Sequence, residues 1–156
     1  MNWLMLVLRL VHVGGGALWV GMMAFMVFFL TPALAEAGPE AGKVMAALQK
    51  QRVMIIMPVI ALLTIGSGLW LMMRLYGSPG NIVGSGMGMA LNVGATAAIA
   101  AFLIGVVFMR PLVMKSMTAT DPAEAQRLRA RGAMLGRWVA RLLMLALAAM
   151  AVARYL

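Results

Sequence analysis

Four stretches of the chain, at about residues 3–30, 53–75, 87–109 and 134–153, are runs of almost unbroken apolar residues. A helix rising about 1.5 Å per residue needs roughly 20 residues to cross a ~30 Å hydrocarbon layer, and each run is long enough. Inside hydrocarbon the backbone N–H and C=O groups must be satisfied within the segment, which leaves the α-helix for single spans of this length. The chain therefore reads as one all-α membrane domain, 1–156: a four-transmembrane-helix bundle. Composition agrees, with 64% hydrophobic residues and a mean hydropathy of +0.98, against about 45–50% apolar usage in soluble domains. The first run lacks a cationic region followed by a small-residue cleavage site, so it reads as a permanent span rather than a removable signal peptide.

A net charge of +9 would suggest nucleic acid in a soluble chain; here its distribution gives topology instead. The segments after the first and third spans share one side and carry Lys43, Lys50, Arg52, Arg110, Lys115, Arg127, Arg129, Arg131, Arg137 and Arg141. Only Arg9, Arg74 and Arg154 fall on the other side. Since Lys and Arg are retained in the cytoplasm, both termini are expected outside, on the periplasmic face of an inner membrane. Membrane lipid is the expected partner, and nucleic acid is not.

Two segments on the basic side look helical. In "TPALAEAGPEAGKVMAALQKQR" (31–52), Gly38-Pro39-Glu40 marks a helix start that leads unbroken toward the second span. In "TDPAEAQRLRARG" (120–132), Asp121 can cap, Pro122 suits the first helical position and Glu124 completes a capping-box-like pattern. The second and fourth helices are thus expected to carry cytoplasmic helical extensions, the fourth running from Pro122 to Arg154. Pro58 is a potential kink in the second span. "YGSPGNIVGSGMG" (76–88) fits a short external loop. No heptad array, solenoid repeat or long linker is visible.

Chemistry is sparse. With no cysteine, disulfides, thiolate metal sites and iron–sulfur clusters are excluded. No carboxylate lies in a span, which argues against a carboxylate proton relay; nucleophilic catalysis lacks a thiol and an acid near the one histidine. "GSGMGM" has neither the spacing nor the preceding strand of a dinucleotide fingerprint. What stands out is His12, the single imidazole, inside the first span. Arg9, His12, Gly16, Trp19 and Met23 are three or four residues apart and share a helix face. A polar residue at that depth is a functional candidate by default.

Three readings of His12 follow. The first is an axial ligand to haem b in a membrane electron-transfer protein: Arg9, Arg74 and Arg154 would meet propionates, Gly16 and Trp19 would shape the pocket, and the second ligand would be a methionine, His12 of a second copy, or none. The second is a copper site combining His12 with thioethers, drawn from 18 methionines and especially Met22, Met23, Met72 and Met73. The third is a structural role, with His12 donating to Asn92, Thr96 or a carbonyl on another helix. Glycine in the first three spans serves close helix packing in the same bland reading, methionine is an adaptable filler, and Arg137 and Arg141 beside Trp138 snorkel to headgroups.

"LVHVGGGALWVGMMAFMVFFLTPAL" resembles the first span of CopD-like small membrane proteins, through His12, Trp19, Gly21 and the closing Pro32. "TIGSGLWL" (64–71) and "MAVARYL" (150–156) are similar to that group as well. The resemblance implies a four-helix membrane protein linked to copper handling and, more widely, to haem-binding bundles; HemJ-type protoporphyrinogen oxidases are a neighbouring group. A chain with one imidazole is expected to work as a homodimer or as a subunit of a larger membrane complex, in electron transfer or binding rather than stand-alone catalysis.

Overall fold

The computed structural model describes residues 2–77 and 84–156. Four helices among them are long and apolar enough to cross a membrane: α1 (Trp3–Glu36), α3 (Val53–Tyr76), α4 (Gly86–Thr118) and α5 (Pro122–Tyr155). A shorter helix, α2 (Ala41–Lys50), lies between the first two. The described residues hold no strand, and the chain is an all-α, multi-pass membrane protein. The start of α1, the end of α3, the start of α4 and the end of α5 lie at one end of the bundle, called here the terminal end. The α1–α3 and α4–α5 connections lie at the other, the basic end.

Each start has a chemical cause. Asn2 accepts from the Met5 amide at 3.4 Å, Ser85 from the Gly88 amide at 3.0 Å and Asp121 from the Ala123 amide at 2.9 Å, so a short polar side chain satisfies an otherwise orphan donor at each N-terminus. Pro122 occupies the first turn of α5 as expected.

The helices outrun their apolar stretches. The first span continues to Glu36 and the third to Thr118, because helical hydrogen bonding persists after the side chains turn polar. Both pass through a wide π turn, Met26–Leu30 in α1 and Ile104–Met109 in α4, just before a proline, Pro32 or Pro111. Proline has no N–H for the ladder. In α1 the Thr31 amide reaches back five residues to the Met26 carbonyl, which also accepts from the Thr31 hydroxyl at 2.7 Å.

The expected unbroken run into the second span is corrected. Helix α2 ends at Lys50, and Arg52 takes a left-handed conformation (φ 57°, ψ 22°) before α3 begins. The extension on the second helix is therefore a separate helix, whereas that on the fourth is continuous with its span. Helix α3 itself runs through Pro58 without a break. Of the anticipated 76–88 loop, residues 78–83 lie outside the described residues.

Antiparallel pairs α1–α3 and α4–α5 make the most intimate contacts and are joined into a bundle by α1–α5 and α3–α4. The centre is filled by Trp19, Met23, Val139 and Leu143 set among alanines 61, 97, 98, 101 and 146. Large apolar side chains such as Leu10, Val13, Phe29, Leu62 and Leu103 point outward instead. That inversion suits a lipid solvent: helix association there is favoured by close backbone approach rather than by hiding apolar surface.

Candidate metal or cofactor site at the α1–α3 seam

Glycines set how closely α1 and α3 approach. A Cβ on Gly15 would stand 2.6 Å from Thr64 Oγ1, and one on Gly16 3.5 Å from Thr64 Cγ2. One turn toward the terminal end the roles reverse: a Cβ on Gly68 would stand 2.5 Å from Cε1 and 2.7 Å from Nδ1 of His12. The imidazole lies flat against a helix face that only glycine leaves open.

That approach brings His12 Nδ1 within 2.8 Å of the Thr64 carbonyl oxygen. A carbonyl can only accept, so Nδ1 carries the proton and donates. In the neutral ring the lone pair is then on Nε2. A backbone carbonyl fixing one ring nitrogen so that the other is aimed is the arrangement that orients metal-bound histidines. The neighbouring polar groups are already satisfied: Thr64 Oγ1 donates to the Ile60 carbonyl at 2.8 Å, and Ser67 Oγ lies 2.6 Å from the Leu63 carbonyl and 3.1 Å from that of Thr64. Among the described residues nothing donates to His12 Nε2.

The predicted stripe divides. Gly16 and His12 are half-buried at the seam, Trp19 and Met23 are buried in the core, and Arg9 is exposed. Arg74 is also exposed and lines a groove of about 500 Å³ with Gly66, Leu69, Trp70, Met73 and Gly77. That groove lies on the α3 face turned away from Thr64 and Gly68. Arg154 stacks on its neighbour Tyr155, 5.0 Å from the ring centroid, so the three outer arginines do not converge on His12.

The methionines separate by depth. With His12 level with Thr64–Gly68, Met22 and Met23 lie about 15 Å toward the basic end, and Met72 and Met73 about 10 Å toward the terminal end. Metal–ligand bonds are about 2–2.5 Å, so one ion cannot take both pairs. Met72 is half-buried and Met73 is 65% exposed. Asn92 donates to the Gly88 carbonyl of its own helix at 3.1 Å, and with Thr96 it lines a second groove, of about 420 Å³, between α4 and α5. Of the partners expected for a structural His12, the carbonyl on another helix is the one found.

At the seam Gly15 and Gly68 face Thr64 and His12 closer than a Cβ would allow and Gly16 is in ordinary contact with Thr64, so these three serve the helix contact. Gly14, Gly21 and Gly66 have nothing within 4 Å of a Cβ position, and Trp19 packs into the core at 5% exposure. Gly66 and Gly68 were expected as glycines of close helix approach, whereas Thr64 and Ser67 were not singled out from the sequence. Their signal was a short run of small and polar residues inside an apolar span, which marks a helix contact. The described residues hold no group of three or more His, Cys, Asp or Glu side chains able to bind a metal. Comparison with protein-family models, curated proteins and solved structures gives no match for this chain.

Proposed function

We propose that this membrane protein binds a soft monovalent metal ion, copper(I), through Nε2 of His12. The observation that supports this reading is the 2.8 Å bond from Nδ1 to the Thr64 carbonyl, which in the neutral ring leaves the lone pair on Nε2. Copper(I) favours imidazole and thioether donors, and a bare ion needs no planar slot in a seam closed by Gly15, Gly16 and Gly68. Haem b at the same nitrogen is the competing reading, and it needs a slot outside the glycine-lined contact.

Protein purified in mild detergent and loaded anaerobically with copper(I) is expected to retain about one ion per chain, lost in His12→Ala. A Soret band in the purified protein that vanishes in His12→Ala would replace copper with haem b. Unchanged metal content and a colourless spectrum in both proteins would reduce His12 to a packing contact.

The charge asymmetry supports an orientation with the basic end in the cytoplasm and both termini outside. The cysteine-free chain makes this simple to test. Tyr155→Cys is expected to react with an impermeant maleimide in intact cells, and Thr120→Cys only after permeabilisation; the reverse pattern would invert the topology.

A further inference from the structure

We infer that the Met72 thioether is the second donor to the ion at His12, forming a two-coordinate N,S site between α1 and α3 in the half of the bundle nearest the termini. The inference rests on the copper reading above and names the ligand that completes it.

Thr64, Gly68 and Met72 follow one another at intervals of four and lie on one face of α3. The imidazole covers the first two steps: Nδ1 meets the Thr64 carbonyl, and Cε1 is the ring atom nearest Gly68. The ring therefore lies at the Thr64–Gly68 level of that face, and Met72 is the next residue on it, one turn or ~6 Å beyond Gly68 toward the terminal end. Side chains in a helix lean toward its N-terminus. His12 on α1 therefore leans toward the terminal end, while Met72 on the antiparallel α3 leans back toward Gly68. The two side chains converge.

Met5, Met22, Met23 and Met73 lack this placement. Met5 shares the face of His12, seven residues before it, but on the same helix it leans the same way and so away from the ring. Met73 points off the seam, 65% exposed. Met22 and Met23 are too far toward the basic end, and Met23 is committed to the core. A half-buried thioether also fits the chemistry, as a soft, uncharged donor that needs no deprotonation in a low-dielectric setting.

The test is competition for copper(I) against a chromophoric chelator, in detergent under anaerobic conditions, with silver(I) as a redox-inert second probe. Met72→Leu keeps the volume and is expected to weaken binding at least tenfold; Met73→Leu, on the adjacent residue, is expected to match wild type. Met72→His, which restores a donor, is expected to recover part of the affinity. If His12→Ala weakens binding and Met72→Leu does not, Met72 is not the ligand and the copper reading survives. If His12→Ala leaves affinity unchanged, the copper reading itself fails. Circular dichroism and elution volume of each variant separate lost binding from lost fold.

Discussion

Gly68→Ala is the substitution for which the seam gives the sharpest expectation. The new methyl would stand 2.5 Å from His12 Cε1, whereas ordinary contact begins near 3.4 Å, so the ring or the whole of α1 must retreat by about 1 Å. An imidazole pinned at Nδ1 has little freedom to swing away, and a retreat of that size takes the 2.8 Å bond to Thr64 beyond useful length. Overpacking of this kind costs about 1–3 kcal/mol, and a lost interhelical hydrogen bond in a membrane protein about 0.5–1.5 kcal/mol. Alanine returns up to about 1 kcal/mol through its better helix propensity. The net expectation is a loss of roughly 1–3 kcal/mol in reversible SDS unfolding from detergent micelles. Gly66→Ala, two residues away with nothing within 4 Å of its Cβ position, is the control and should be neutral or slightly stabilising. In a His12→Ala background the obstacle is gone, and Gly68→Ala should then behave like Gly66→Ala. A double-mutant cycle showing no coupling between the two sites would refute the contact on which the tautomer assignment depends.

Three further outcomes are expected. Gly15→Ala should destabilise by about 1–3 kcal/mol, because its Cβ would stand 2.6 Å from Thr64 Oγ1, while Gly14→Ala should not, since that position is open; adding Thr64→Ala should recover most of the loss in the same assay. Leu143→Ala, at 1% exposure in the bundle centre, should cost about 2–5 kcal/mol, read as a lower SDS midpoint, with Leu145→Ala on the exposed face well under 1 kcal/mol. Asp121→Ala removes the acceptor of the Ala123 amide and should fray the first turn of α5 at a cost of about 1 kcal/mol, visible as faster amide exchange at 123–125.

The four spans were legible because lipid imposes one demand, a run of apolar residues of fixed length, which the sequence states openly. Their ends were not, because residues such as Thr31–Glu36 and Arg110–Thr118 continue a helix after the apolar signal has stopped. The break at Arg52 carries no signature either: a left-handed backbone is announced by glycine or asparagine, and arginine announces nothing. His12 could be picked out by rarity alone. Its partner could not, since a backbone carbonyl is the same group at every position. What selects Thr64 is the register of α1 against α3, and that register is set by Gly15, Gly16 and Gly68 together. The methionine pairs show the converse. Adjacent in sequence, Met72 and Met73 look equivalent as donors, yet about 100° of helical rotation leaves one half-buried and turns the other outward.

Each π turn in α1 and α4 amounts to one residue more than an α-helix would use over the same length. At 3.6 residues per turn, that extra residue rotates everything beyond it by about 100°. Pro32 and Leu34 in α1, and Pro111 and Val113 in α4, therefore face directions that an uninterrupted heptad count from the membrane half would assign to other residues. The wide turn accordingly takes up one residue without disturbing the helix on either side of it. A single-residue deletion within Met26–Leu30 should be absorbed by reverting that turn to α-helix, leaving both the α1–α3 seam and Thr31–Glu36 facing as they do now.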